Sequence, residues 1–289
     1  SDQGRLLGDL SVGCFDDEHF MLFGSGAQGD AHRRWFEQFD QALDCYQNVS
    51  DNWHGLALSG PKSRALLSEI TDVDVSGEAF SFKQIRQCYV GGYPVILVRL
   101  SFSGELGFEI YCAPHHLRGL SDKIERAGQK HHLRWYGARA LMSLRLEKSW
   151  GVWGLDYRPD FNPLEAGLEG LIDWNKEFVG KKNLLEHKKA PLDKKLVTIM
   201  LNEDDLQHQE GGSFDVSNDE AILYQERAVG YVTSGGYAHF VKKSLAMGYV
   251  EVEFAKAGQK LHIEICGHKV EGTIYDTPLY DPQGQKMRA

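Results

Sequence analysis

The sequence predicts an α+β fold that ends in a small antiparallel β-barrel. Up to about residue 190, short apolar runs typical of strands alternate with segments whose apolar residues recur at helical spacing. Beyond this point nearly every apolar run is strand-like, and turn residues separate the runs at short intervals. A proline and a charge run at 190–195 lie between the two regions. We therefore predict two domains, at residues 1–190 and 191–289.

Individual elements are predicted in order along the chain. Apolar runs at 6–12 and 19–23 flank an acidic turn and indicate a hairpin, and Asp30 is the expected N-cap of a helix that extends to residue 43. The rest of the first domain is expected to contain a strand, a helix, a hairpin closed by a Gly-Gly turn, a further strand and two helices, at 55–58, 62–70, 85–100, 107–112, 114–128 and 137–148. The second domain is expected to contain strands at 196–201, 229–234, 245–252, 261–265 and 270–275, with a flexible loop at 234–239.

The composition argues against several classes of function. A formal net charge of −9, from 32 Lys and Arg against 41 Asp and Glu, disfavours a general nucleic-acid surface, which needs clustered cations. No apolar run reaches the length of a membrane span, and the start of the sequence carries no export signal. Five scattered cysteines without a C-x-x-C pair, and histidines without an H-E-x-x-H pattern, predict neither disulfides nor a metal site. We expect a reducing compartment: the cytoplasm, or the mitochondrial matrix in a eukaryote.

Residues 24–29 fit the pattern G-x-G-x-x-G, which binds dinucleotides at the start of a βαβ unit. The pattern follows a predicted strand and precedes a predicted helix. A Rossmann unit also needs an acidic residue closing the next strand and a further βαβ succession, and the sequence predicts neither. A nucleotide-binding oxidoreductase is therefore kept only as an alternative.

Four phrases occur in a fixed order along the chain: GRLLGDLS at 4–11, SFSGELGFE at 101–109, GARALMSLRLE at 137–147 and NPLEAG at 162–167. Together they resemble the folate-dependent aminomethyltransferases, known from the T-protein of glycine cleavage, in the version fused to dimethylglycine and sarcosine dehydrogenases. The resemblance implies a T-protein-like folate-binding domain followed by a C-terminal barrel. It also implies that the chain lacks an N-terminal part of the family, so we interpret it as a fragment.

Asp9 is the candidate catalytic residue. Periodicity alone favours a solvent-facing carboxylate in an otherwise apolar run. The resemblance implies a different role, because Asp9 matches the second acid of the family's Gly-x-x-x-Asp-Asp-Leu phrase, beside the reacting nitrogens of tetrahydrofolate. Gly8 replaces the first acid, so one carboxylate must both stabilise a cationic iminium and accept the proton of the attacking amine. Ser11, in the same phrase, is a candidate folate-binding residue.

Two further candidates lie in the second phrase. Glu109 alternates with apolar residues, so we expect it on the opposite face of its strand, either simply exposed or bound to a ligand. The resemblance implies that Glu109 accepts paired hydrogen bonds from the amino-pyrimidine edge of the pterin. Phe102 stands where the family has a tyrosine, so it keeps ring stacking and lacks the hydroxyl group.

The remaining candidates are Arg139 and Tyr237. Arg139 in a first helical turn opposes the helix dipole, so it needs a partner: Glu109 or Glu147 in a structural ion pair, or the folate head group that the resemblance implies. Both kinds of partner can be served together, because a guanidinium has several donors. Tyr237 lies in the predicted loop at 234–239, which the resemblance places over the folate pocket.

The resemblance implies that the chain captures a one-carbon unit from an N-methyl amine iminium and forms 5,10-methylenetetrahydrofolate. The flavin, FAD, that generates the iminium in these dehydrogenases would belong to a missing N-terminal domain or to a partner subunit. Two alternatives stay open beside the nucleotide-binding one: a folate-dependent demethylase of another methyl donor, and a folate-binding module without catalysis.

Overall fold

The structure is a computed structural model, which describes residues 1–39, 46–202 and 215–289. The chain divides into two compact units. The barrel unit contains Ser1–Asp9 and Met142–Pro282, and the sheet unit contains Leu10–Leu141 and Gln283–Ala289. These units describe packing in the folded chain, and the predicted division into domains 1–190 and 191–289 stays a prediction.

The sheet unit contains a hairpin and a four-stranded antiparallel sheet. Its elements are β1 (Ser11–Cys14), β2 (Phe20–Phe23), α1 (Gly29–Phe36), β3 (His54–Ser59), α2 (Ser63–Ser68), β4 (Ile85–Val90), β5 (Tyr93–Val98), β6 (Gly107–Cys112) and α3 (Leu117–Gly128). The strand order of the sheet is β3-β6-β5-β4. Helix α4 (Ala138–Glu147) starts in this unit and continues into the barrel unit.

One face of this sheet carries the core of the unit. The buried cluster joins alternate residues of the strands to apolar residues of α2 and α3, among them Leu58, Leu97, Phe108, Ile110, Leu66 and Leu120. Because side chains alternate along a strand, Glu109 of β6 lies on the opposite face, as expected from the sequence. The predicted Gly-Gly hairpin is also confirmed: Gly91 and Gly92, with φ of 61° and 87°, close the turn between β4 and β5.

Two predictions near the start of the chain are wrong. The first strand begins at Ser11 rather than at residue 6, because the preceding segment packs in the barrel unit, where the backbone N of Leu6 donates to the Phe161 carbonyl at 3.0 Å. Helix α1 begins at Gly29 with Gln28 as its N-cap residue, so Asp30 lies in the first turn instead of capping it. An acidic residue in that turn still interacts favourably with the helix dipole. Residues 40–43 of the predicted helix lie outside the described residues.

The barrel unit contains α5 (Lys181–Lys189) and the strands β7 (Lys194–Leu201), β8 (Ala221–Tyr224), β9 (Arg227–Ala238), β10 (Lys243–Glu251), β11 (Lys260–Ile265) and β12 (His268–Tyr275). The strands close into a barrel in the order β10-β7-β12-β11-β8-β9, and every neighbouring pair is antiparallel. Each strand contributes apolar residues to one buried cluster. The predicted antiparallel barrel is therefore confirmed. A last helix, α6 (Gln285–Arg288), belongs to the sheet unit.

The predicted loop at 234–239 is wrong for most of its length. Strand β9 continues to Ala238, and Tyr237 pairs with Ser244 of β10. Gly235, one of the two glycines that suggested a flexible loop, has a packing role, since a Cβ at this position would clash with the carbonyl oxygen of Val216. Gly235 thus lets the strand pass close to a neighbouring segment.

Glu147, the last residue of α4, is a buried acid with 2% of its surface exposed. Its carboxylate Oε1 accepts a hydrogen bond at 3.0 Å from the backbone N of Phe240, in the turn between β9 and β10. Burial raises the pKa of Glu147, while the hydrogen bond from Phe240 and the nearby His239 oppose that rise. The side chain therefore fixes a turn at the cost of holding a charge in the interior.

We expect Glu147→Gln to make stability less dependent on pH. Because the folded-state pKa of Glu147 is raised, the folded chain binds this proton more tightly, and wild-type stability falls as pH rises from the ordinary value of 4.5 through the folded pKa. Glutamine keeps an acceptor for Phe240 and removes the ionisation. The free energy of unfolding, followed by urea denaturation across this range, should fall less with pH in the variant, and equal slopes would contradict the expectation.

Candidate functional site

Asp9 follows a segment that is anchored in the barrel unit. Leu6 packs there with Tyr157 and Ala166, and Asp9 lies just before β1 starts. Asp9 is exposed to solvent, yet the protein atoms around it raise the pKa of its carboxyl group by partial burial. The charge of Asp9 contributes in turn to a raised pKa of Tyr157, about 12, for which burial is the main cause. Asp9 is thus reachable by a small molecule and incompletely hydrated.

Glu109 and Tyr111 form a hydrogen-bonded pair on the face of the sheet opposite the core. Tyr111 Oη donates to Glu109 Oε2 at 2.7 Å, and Glu109 is half-buried. The β1–β2 hairpin packs on this pair, since the rings of Phe23 and Tyr111 lie 4.7 Å apart. Ser11 is the register partner of Phe23. The structure therefore brings Ser11 and Glu109, both predicted site residues, to neighbouring elements of the sheet unit.

Phe102 lies half-buried in the turn that joins β5 to β6. The turn is held by Ser103, whose hydroxyl group lies 3.1 Å from Ser101 Oγ and accepts a hydrogen bond from the Glu105 backbone N at 3.3 Å. Gly104, at φ 82°, adopts the left-handed conformation that the turn requires. This rigid turn leads directly into the strand that carries Glu109.

Arg139 is exposed in the first turn of α4, which begins after Gly137. The residues just before Arg139 line a cavity of about 340 Å³ in the sheet unit. Its other wall is formed by β3, including Ala57, the register partner of Glu109, and Tyr136 Oη lies 2.9 Å from Ser59 Oγ across it. The apolar lining of this cavity suits a flat ring more than a strongly charged group.

Tyr237 is held in β9 by a neighbour on α4. Ser143 Oγ donates to the Tyr237 carbonyl at 2.5 Å, and the half-buried tyrosine ring meets His239 edge-on at 5.1 Å. Tyr237 therefore stands on a paired strand, so it cannot act as part of a mobile loop. In the barrel unit, Tyr237 lies on β9, whereas Asp9 lies outside any helix or strand.

Two of the four phrases also carry structural residues. Asn162 Oδ1 accepts from the backbone N of Leu164 at 2.9 Å and of Glu165 at 3.0 Å, and Glu165 Oε2 accepts from the Asn162 backbone N at 2.9 Å. This reciprocal arrangement resembles a capping box and fixes the turn. Arg145, in the third phrase, forms a buried ion pair with Asp156 at 2.9 Å. These residues of the third and fourth phrases therefore have a packing role.

The sequence patterns did not identify Tyr111 as a candidate site residue. It lies two positions after Glu109 on the same strand, so side-chain alternation alone places both on one face. That signal was available and would have identified a partner for the acid.

The structure does not support a dinucleotide site at residues 24–29. Strand β2 pairs only antiparallel with β1, and every strand ladder within residues 1–39, 46–202 and 215–289 is antiparallel. A βαβ unit needs parallel strands. The nucleotide-binding alternative is therefore wrong for this part of the chain.

The described residues contain no group of three or more His, Cys, Asp or Glu placed to hold a metal ion. In the same part of the chain, every helix is too short or too polar to cross a bilayer.

Two family models match the chain. The model described as the GCVT N-terminal domain matches residues 1–176, and the model described as the glycine cleavage T-protein C-terminal barrel domain matches residues 194–281.

Known proteins resemble the chain over nearly its whole length. Mitochondrial dimethylglycine dehydrogenase of Mus musculus is 35% identical over 96% of this chain, which spans only 32% of that enzyme. An aminomethyltransferase of Desulforamulus reducens is 31% identical, over 96% of this chain and 74% of its own. The crystal structure of the glycine cleavage system aminomethyltransferase T from Bartonella henselae superposes with a TM-score of 0.80 at 24% identity, covering 97% of this chain and 74% of that one. The Bartonella henselae protein therefore has the same fold as this chain.

Proposed function

Because the chain belongs to the glycine-cleavage T-protein family of aminomethyltransferases, we propose that it transfers a one-carbon unit from an N-methyl amine iminium to tetrahydrofolate. When bound, tetrahydrofolate supplies the amine nitrogens that accept the unit. Asp9 carries the proposal, because it is an accessible carboxylate whose pKa is raised by the protein around it. An incompletely hydrated carboxylate interacts more strongly with a nearby cation and is a stronger base than one in water.

Asp9 has two tasks in the proposed reaction. As a fixed negative charge it stabilises the cationic carbon donor, and as a general base it accepts the proton that the attacking amine releases. One carboxylate serves both tasks, since Gly8 occupies the preceding position. Electrostatic stabilisation of this kind grows as bound ligands displace water from the carboxylate.

We propose that residues of the sheet unit bind the head group of tetrahydrofolate. Among the described residues, Tyr111 is the hydrogen-bond partner of the Glu109 side chain, which leaves acceptor positions for paired N–H donors such as those of an amino-pyrimidine. Arg139 would donate to the head-group carbonyl, Phe102 would stack on a ring, and Ser11 would add a hydroxyl group. In the barrel unit, Tyr237 would shield the reacting centre from water.

The donor we favour is an iminium derived from an N-methyl amine such as dimethylglycine or sarcosine. The similarity to dimethylglycine dehydrogenase supports this choice, and it suggests that a FAD-containing domain or subunit generates the iminium. A folate-dependent demethylase of another methyl donor is the second candidate, since the similarity to aminomethyltransferases specifies no donor. For either donor we propose a reducing compartment, the cytoplasm or the mitochondrial matrix.

Calorimetric titration with tetrahydrofolate tests the binding half of the proposal. We expect the parent chain to release heat of binding, and Glu109→Ala and Arg139→Ala each to weaken the affinity about 10- to 100-fold, since a hydrogen bond to a charged group contributes about 1.5–3 kcal/mol. Glu125→Ala and Arg126→Ala, which remove the same side chains from the exposed face of α3, are the matched controls. Unchanged affinity in both site variants would contradict the assignment.

A further inference from the structure

We propose that Tyr111 is a positioning residue that holds Glu109 in place for recognition of the tetrahydrofolate head group. The inference rests on the function proposed above and adds a residue outside the four phrases. Tyr111 Oη donates to Glu109 Oε2 at 2.7 Å, and the two side chains stand on one face of β6. The hydrogen bond fixes the carboxylate plane, which otherwise rotates freely about its terminal torsion.

The direction of this hydrogen bond is set by the environment of the tyrosine. Burial, followed by the charge of Glu109, raises the pKa of Tyr111 far above its ordinary value. The phenol therefore keeps its proton and is the donor of the hydrogen bond to the carboxylate.

The tyrosine ring is itself clamped from two sides. Phe23 of the β1–β2 hairpin lies with its ring centre 4.7 Å from that of Tyr111, at an interplanar angle of 38°. On β3, Gly55 is the register partner of Tyr111, and a Cβ at Gly55 would lie 2.9 Å from Tyr111 Cε1. The absence of a side chain at Gly55 thus makes room for the ring, and the ring in turn aims the hydroxyl group.

This arrangement prepares Glu109 before the ligand arrives. With Oε2 held by Tyr111, Oε1 and the second lone pair of Oε2 can accept two parallel N–H donors. Without the hydroxyl group the carboxylate must be ordered at the moment of binding, and that ordering reduces affinity.

A double-mutant cycle tests the inference by calorimetric titration with tetrahydrofolate. In the wild-type background, Tyr111→Phe should weaken binding about 5- to 10-fold, in line with the loss of one hydrogen bond. In the Glu109→Ala background, the same change should alter the affinity less than about 2-fold, because the hydroxyl group acts through the carboxylate. A purely structural defect would weaken binding equally in both backgrounds, and that result would overturn the proposal.

Two further variants sharpen the test. Gly55→Ala should reproduce the loss caused by Tyr111→Phe, because the new methyl group displaces the ring. Tyr89→Phe makes the same chemical change on β4, where the tyrosine is 53% exposed, and should leave binding unchanged. If the parent chain fails to bind tetrahydrofolate, the proposed function itself is wrong. If the parent binds and Tyr111→Phe binds equally well, only the present inference is overturned.

Discussion

Asp9→Asn is expected to lower the rate of one-carbon transfer to tetrahydrofolate about 10²- to 10⁴-fold, the range typical of a lost general base. Affinity for tetrahydrofolate should change little, because the proposed binding contacts lie on Glu109 and Arg139. The amide keeps the shape of the side chain and removes its charge and basicity. Transfer is measured as acceleration over the spontaneous reaction of tetrahydrofolate with formaldehyde and sarcosine, which condense to an iminium in water, and binding is measured by calorimetry.

The matched control for this experiment is Asp17→Asn, which also removes an exposed carboxylate, from the β1–β2 turn. Its rate should equal that of the parent. The pH profile adds an independent check: the wild-type rate should fall as pH drops through the pKa of Asp9, and burial shifts that fall to higher pH than for an ordinary aspartate. If Asp9→Asn binds tetrahydrofolate and transfers at the parent rate, the chain is better described as a folate-binding module without this catalytic residue.

Local signals in the sequence were sufficient for elements whose structure is decided by neighbouring residues, through side-chain alternation or turn residues. The bounds of β6 and the outward orientation of Glu109 follow from strict alternation, because one face of that strand is buried and the other is not. The turn at Gly91 and Gly92 follows from the positive φ that a two-residue hairpin requires. In these cases neighbouring residues decide the structure.

Other elements depend on contacts that are distant in sequence. Strand β9 runs through Gly235 because that residue passes close to Val216, a contact that a local pattern cannot reveal. Asp9 lies before the start of β1 because Leu6 packs in a cluster with Tyr157, which is distant in sequence. Short β8, with four residues, offers too few positions to show a period. Tertiary packing overrides or replaces the local signal in each case.

The candidate site also combines residues that local sequence signals predict with residues that only the fold identifies. Periodicity identified Glu109 as an outward-facing acid but favoured plain solvent exposure for Asp9, and only the resemblance of the phrases singled Asp9 out. The raised pKa of Asp9 comes from protein atoms that the fold brings around it, so composition and spacing carry no sign of it. Side-chain alternation did place Tyr111 on the same face as Glu109. The hydrogen bond between Tyr111 and Glu109 also needs the space that Gly55 leaves for the tyrosine ring.

Asp156→Ala is expected to lower the free energy of unfolding by about 3–5 kcal/mol, because it leaves a buried guanidinium without its counter-ion. Arg145 and Asp156 have 2% and 0% of their side-chain surface exposed, and their Nη1–Oδ2 distance is 2.9 Å. The same carboxylate accepts hydrogen bonds from the Ser234 hydroxyl at 2.8 Å and the Val152 backbone N at 2.9 Å, so its loss strands several donors at once. Urea denaturation followed by fluorescence measures the change.

Two comparisons separate loss of the buried charge pair from loss of an acid in general. Asp160→Ala removes an exposed carboxylate that lies 3.3 Å from Arg158 Nε, and it should cost less than about 1 kcal/mol. The double variant Arg145→Met with Asp156→Leu should recover a substantial part of the stability that Asp156→Ala loses, since it leaves neither charge unpaired in the interior. If the double variant is less stable than Asp156→Ala alone, the uncompensated charge is not the cause, and the network of hydroxyl and backbone donors around Asp156 carries the effect instead.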